Sequence, residues 1–180
     1  MALTKIRNAG LGVTALPTGV GGKLLQTKYA VKTGAQATSS STSFVEIATL
    51  TMAITPATTG SRILFQAALT LSAIGHYDVY VTRTIGSTAT TLSVGDASGS
   101  QQRSVLHGYL ANTTTAYGMD SPSITIVDSP NTTSACTYKI YMGTPHSTGY
   151  SVHLNKQANE ANSGYAARTI STLTLTEIGA

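Results

Sequence analysis

The stretch Arg62–Ile74, RILFQAALTLSAI, reads in twos. Ile63, Phe65, Ala67, Leu69, Leu71 and Ala73 fall on one side of an extended chain, and Arg62, Gln66, Thr70 and Ser72 on the other. Successive side chains of a strand point to opposite faces, so this order predicts a strand with one buried face. The same rhythm recurs on both sides of it. In FVEIATLTMAI (44–54) the even positions Phe44, Ala48, Leu50, Met52 and Ile54 share a side. HYDVYVTRTI (76–85) groups Tyr77, Val79, Val81 and Ile85, and ACTYKIYM (135–142) groups Cys136, Tyr138, Ile140 and Met142.

Further strands are predicted near 23–33, 89–94, 103–111, 122–128, 150–155 and 168–178. They are separated by TPATTGS, GDASGS, DSPNTTS and GTPHSTG, whose Gly, Pro, Asn, Asp and Ser are turn formers. No segment keeps helical spacing; NKQANEANSG (155–164) comes nearest, and its Asn and Gly make it a loop. About nine or ten short strands predict an all-β fold of two packed antiparallel sheets, a β-sandwich, with the jelly roll as the favoured order.

Composition agrees. Only 10% of the 180 residues are charged, against roughly 25% in an average domain. Ser and Thr take their place, at 50 residues between them, and β-branched Thr suits a half-wet pleated surface. With 41% hydrophobic residues the chain can build a core. The net charge of +4 is scattered from Lys5 to Arg168, so no basic block predicts a nucleic-acid partner. No apolar run predicts membrane insertion or a signal peptide, which makes a cytoplasm the expected place of folding. Cys136 is the single cysteine and excludes a disulfide within the chain. The Asn-x-Thr triplets at Asn112 and Asn131 read as turn residues.

Residues 1–22 lack alternation and scatter Leu3, Ile6, Leu11 and Leu16 among Gly, Asn and Pro. Such a segment cannot bury its own apolar side chains. It is expected to be an extended docking arm ending in a Gly-rich joint, with the sandwich over 23–180. Leu3, Lys5, Ile6, Arg7, Leu11 and Leu16 are the candidate partner contacts. The joint, LPTGVGGKLLQ (16–26), ends in Gly22-Lys23 like a phosphate-binding loop. That loop needs Gly five residues before its Gly-Lys and Ser or Thr after it, followed by a helix. Here those positions hold Pro17 and Leu24, and a strand is predicted next.

Other chemistry finds little support. His76 and Asp78 lie two apart on a strand and share a face, the best pair for activating a nucleophile, but no Gly-x-Ser-x-Gly elbow accompanies them. Asp96, Asp120 and Asp128 sit beside Gly, Ser or Pro and read as turn caps. His76, His107, His146 and His153 are too scattered in sequence to predict a metal site within one chain. Tyr109, Tyr117, Tyr150 and Tyr165 lie near predicted loops, where amphipathic rings could meet a glycan or protein, or seal a subunit seam. No catalytic residue, metal ligand or cofactor is therefore expected.

Several phrases resemble small virion structural proteins of tailed bacteriophages of aquatic bacteria. They are MALTKIRNAGLG (1–12), the joint itself, AITPATTGSRILF (53–65), GDASGSQQR (95–103), IVDSPNTTSACTYKIYM (126–142) and ARTISTLTLTEIGA (167–180). The resemblance implies a β-sandwich head, commonly a homotrimer, joined to the virion by a short N-terminal segment. It supplies no functional residues position by position, and the glycines at Gly19, Gly21 and Gly22 depart from a rigid coupling. The expected role is a surface-exposed tail fibre or knob, docked on a tail adaptor or the major capsid protein, in contact with a host surface glycan or protein. A capsid decoration protein at threefold positions of the head is the alternative, and a polysaccharide-degrading tailspike-type enzyme the third.

Overall fold

The computed structural model describes residues 23–38, 43–110, 117–144, 150–164 and 166–179. The candidate docking contacts Leu3, Lys5, Ile6, Arg7, Leu11 and Leu16 lie outside the described residues, as do Asn112, His146 and Tyr165. The described chain is all-β. Its strands are β1 (Leu24–Lys32), β2 (Gln36–Ala37), β3 (Val45–Glu46), β4 (Met52–Ile54), β5 (Arg62–Ala68), β6 (Leu71–Ala73) and β7 (Gly75–Ile85). After these come β8 (Thr88–Leu92), β9 (Leu106–Leu110), β10 (Ser123–Asp128), β11 (Cys136–Gly143), β12 (Val152–Leu154) and β13 (Ser171–Ile178). A strand, β1, follows Lys23 directly, where a phosphate-binding loop would need a helix.

Every strand pairing is antiparallel. One sheet runs β1-β13-β5-β10. The other runs β3-β11-β7-β8, with β4 also on β11 and β9 also on β7. Within these two sheets, counting β3 with β4 and β8 with β9 as single passes gives eight strands. The first sheet then holds passes 1, 8, 3 and 6, and the second holds 2, 7, 4 and 5. That is the strand order of a jelly roll, two Greek keys closed into two facing layers.

The short third sheet, β2-β12-β6, repeats the order of the first with the same three passes of chain. It continues the first sheet beyond a jog. Arg62–Ile74 is therefore split: β5 pairs with β13 as far as Ala68↔Thr172, and β6 pairs with β12 from Leu71↔Leu154. At the break, Thr70 N–H donates to Ser171 Oγ (3.0 Å) while its carbonyl accepts from Asn155 N–H (2.9 Å). Residues 156–164 and 166–170 thus leave the sheet as an excursion between β12 and β13. Alternation in the sequence predicts the buried face correctly but cannot register a change of partner.

The two layers meet over a shared core. Ile63, Phe65, Ala67, Leu69, Leu71 and Ala73 are all buried, as are Cys136, Tyr138, Ile140 and Met142. The Phe65 and Tyr138 rings meet from opposite sheets at 6.1 Å. Each fully buried large apolar side chain contributes about 1.5–3 kcal/mol. The reading of 44–54 needs one correction. Ile47 is buried, Ala48 is exposed and Phe44 packs on Tyr80 at the outer face rather than in the core, because Thr49 turns the chain with a φ of 78°. The backbone steps out of phase there, and Leu50 and Ile54 return to the core.

Polar groups also tie the layers. Asp128 was expected to cap a turn; instead its carboxylate lies 8% exposed between the sheets. It accepts from Arg83 Nη1 at 2.6 and 2.8 Å and from the Tyr138 hydroxyl at 2.6 Å. Burial, followed by this bond, drives the Tyr138 hydroxyl far above its ordinary range, so it stays a donor. Asp120 does cap, accepting from Ser121 N–H (2.9 Å), and it also receives the Tyr77 hydroxyl.

A second buried carboxylate, Glu177 on β13, holds the segment before β5. It accepts from Gln26 Nε2 and Ala57 N–H, each at 2.6 Å. Burial alone would raise its pKa, but bonds from Ser61, Gln26 and Ala57 outweigh that and hold it below the ordinary 4.5. A depressed folded-state value stabilises the fold above the unfolded value and loses that contribution as pH falls through the folded one. Glu177→Gln is thus expected to cost about 2 kcal/mol at neutral pH. The gap to the parent should narrow as pH drops below 4.5. Urea unfolding at a series of pH values checks this, and parallel curves for the two proteins would contradict it.

Candidate functional site

The outward face of the second sheet gathers the polar and aromatic residues that a site requires. On β7 the inward set is Tyr77, Val79 and Val81, so His76, Asp78, Tyr80, Thr82 and Thr84 take the other side. On β11 the inward Tyr138, Ile140 and Met142 leave Lys139 and Tyr141 outward. Tyr80 and Tyr141 are direct cross-strand partners, and their rings stack at 4.7 Å and 10°. The Phe44 ring meets Tyr80 edge-on at 4.9 Å. Gly143 makes room for it, since a Cβ there would stand 2.9 Å from the Phe44 ring. Burial, then the neighbouring Tyr141, pushes the Tyr80 phenol up and keeps it neutral.

Residues 93–105, between β8 and β9, fold back beside these rings. Val105 N–H anchors to Val79 C=O at 2.9 Å, and Arg103 Nε donates to Gly95 C=O at 2.7 Å. A cleft of about 460 Å³ results, lined by Tyr80, Tyr141, Thr82, Lys139, Gln102 and Arg103, with further hydroxyls from Thr84 and Thr91. Lys139 pairs with Glu46 at 2.8 Å. That bond holds the Glu46 carboxyl below and the Lys139 ammonium above their ordinary ranges, so both stay charged across neutral pH.

Toward the other end of the same face, His76 and Asp78 share a side as the sequence predicts. The residue that joins them comes from β9: His107 Nδ1 lies 3.2 Å from Asp78 Oδ1, and its Nε2 lies 3.3 Å from His76 Nδ1. Asp78 is fully buried beneath, and the Tyr109 ring lies tilted beside His76 at 4.7 Å and 56°. Among the described residues no group of three or more His, Cys, Asp or Glu side chains could hold a metal ion. Cys136 is buried, and burial pushes its thiol up, away from the reactive thiolate.

Of the four tyrosines singled out in the sequence, Tyr109 is exposed on this face. Tyr150 packs over Gly75, and Tyr117 accepts at its carbonyl from Gln157. Tyr80 and Tyr141, which build the cleft, are not among those four. The signal for them was the alternation itself. Each stands between inward apolar residues, Val79 and Val81 in one case and Ile140 and Met142 in the other, and must face outward.

No protein-family model matches the chain, and no curated protein matches it. Among solved structures, a chain from the structure of infectious bursal disease virus Gx strain is similar over 86% of this chain and 41% of its own length. The identity is 11% and the TM-score 0.39. This chain therefore spans less than half of that one, and a likeness of that size carries no argument about function.

Proposed function

We propose that this chain is a non-enzymatic structural protein of a bacteriophage virion. In this reading it is a trimeric, surface-exposed fibre or knob, docked through residues 1–22 and turning the aromatic face of its second sheet toward the host. One observation carries the reading most: the two outer faces of the jelly roll differ in chemistry. By register, the first sheet's outer face is Thr27, Tyr29 and Val31 beside Thr172, Thr174 and Thr176, then Leu64, Gln66 and Ala68 beside Thr125 and Val127. Among the described residues Arg62 alone brings charge to it. Tyr29 and Val127 are 78% and 57% exposed there. A broad, neutral sheet face with large apolar side chains suits a seam between subunits, whereas the second sheet carries charge, histidines and stacked rings.

Three arms on one trimer would raise docking affinity through effective concentration, since each engaged arm holds the others near their sites. Deleting residues 1–16 is therefore expected to leave a folded trimer that no longer joins particles. Sedimentation of the truncated protein and its recovery in purified particles make the test. Incorporation at the full level would overturn the docking role, and a monomer at micromolar concentration would overturn the trimer. Hundreds of copies per particle would move the protein from the tail to the head as a decoration protein.

A further inference from the structure

We infer that the cleft beside Tyr80 and Tyr141 binds an acidic oligosaccharide, one carrying carboxylates on its sugar rings. The inference deepens the host-contact part of the reading above, whereas virion location is tested separately by particle incorporation. Three features of the cleft lead to it. The first is size: about 460 Å³ lies within the usual range of small-ligand sites.

The second is the mixture of surfaces. Stacked tyrosine rings offer an apolar wall with hydroxyls at its rim, which matches a sugar's apolar C–H face edged by hydroxyl groups. Thr82, Thr84, Thr91 and Gln102 add side chains that donate and accept hydrogen bonds. The lining contains no Leu, Ile, Val or Met, which argues against a lipid or apolar peptide. Thr82 is 8% exposed although it stands on an outer sheet face, so the floor of the cleft is already largely shielded from water.

The third is charge. Arg103 and Lys139 line the cleft and, among the described residues, no carboxylate does. Glu46 steadies Lys139, and the Gly95 carbonyl steadies Arg103 through Nε. A guanidinium fixed in this way suits the paired oxygens of a carboxylate.

The test uses the full chain and tyrosine fluorescence, which no tryptophan obscures. Hexagalacturonate and an alginate hexamer serve as acidic probes, maltohexaose as the neutral one, and hexathymidylate as a nucleic-acid control. The acidic sugars are expected to bind at least about tenfold tighter than maltohexaose, and Arg103→Ala to remove that preference. Tyr141→Ala should weaken binding about tenfold, while Tyr141→Phe, which keeps the ring, holds most of it. Thr125→Ala on the opposite sheet should change nothing. Equal binding of acidic and neutral sugars, tighter binding of hexathymidylate, no binding of either acidic probe at millimolar concentration, or indifference to Arg103→Ala would each overturn the inference. Arg103 lies on an exposed segment, so its variant remains informative even where Tyr141→Ala folds poorly.

Discussion

Asp128→Ala is expected to lower the stability of the folded chain by about 3–5 kcal/mol, the usual cost of removing one partner from a buried ion pair. Asp128 stands on β10 of the first sheet, while Arg83 and Tyr138 reach it from β7 and β11 of the second. Without it a guanidinium 15% exposed and a fully buried phenol lose their shared acceptor. Arg83 Nε is already buried without a partner, so little remains to compensate. Asp128→Asn keeps the shape and one acceptor oxygen and should fall between the two. Urea unfolding followed by tyrosine fluorescence measures all three proteins. A loss below about 1 kcal/mol for the Ala variant would mean that water reaches the clasp and that it does not hold the layers.

The second large effect is expected at Asn155, where strand β12 stops and the excursion begins. Its φ of 60° lies in the left-handed region, which Asn tolerates better than most residues. Its side chain is fully buried and donates to the carbonyls of Lys32 (2.7 Å) and Gly34 (3.3 Å). Its Oδ1 accepts from Ser171 Oγ at 2.7 Å, and the same Ser171 oxygen accepts from Thr70 N–H. One side chain thus pins three passes of chain at the jog. Asn155→Ala loses both the conformational preference and the bonds, for about 3–4 kcal/mol, and Asn155→Gly loses only the bonds, for about 2. Limited proteolysis should also cut the Ala variant faster within 156–170. Equal stability of the Ala variant and the parent would contradict this account of the jog.

Much of the fold was legible because burial on one face of a strand leaves a period of two. Ile63 to Ala73 and Cys136 to Met142 announce which side is inward, and hydroxyl-rich turn segments mark most ends. What alternation cannot carry is partnership. The same run of alternating residues serves two sheet segments when Thr70 changes its neighbour, and nothing in residues 62–74 reveals it. Thr49 shows a related limit: a left-handed residue shifts the phase by one without a glycine to advertise it. Asp128 beside Ser-Pro resembles a turn cap locally, and only the facing sheet supplies Arg83 and Tyr138.

The candidate site follows the same division. His76 and Asp78 share a face because they stand two apart, and the structure agrees. His107 joins them from 29 residues beyond Asp78, a distance that register alone bridges. Tyr80 and Tyr141 are outward by simple parity, yet they became a site through pairing across β7 and β11 and through the 93–105 segment folding back beside them. The cleft is tertiary, whereas its aromatic wall was already written in two strands.

The proposed role, a virion protein that presents its second sheet outward, is tested most directly by a reconstruction of purified particles from the source that encodes the chain. The expected result is threefold density for the jelly roll on the particle surface, with the Tyr80–Tyr141 cleft facing solvent and residues 1–22 against a neighbouring virion protein. Particles that lack the chain, or that bury the cleft against the shell while the neutral Thr-rich face points to solvent, would contradict it.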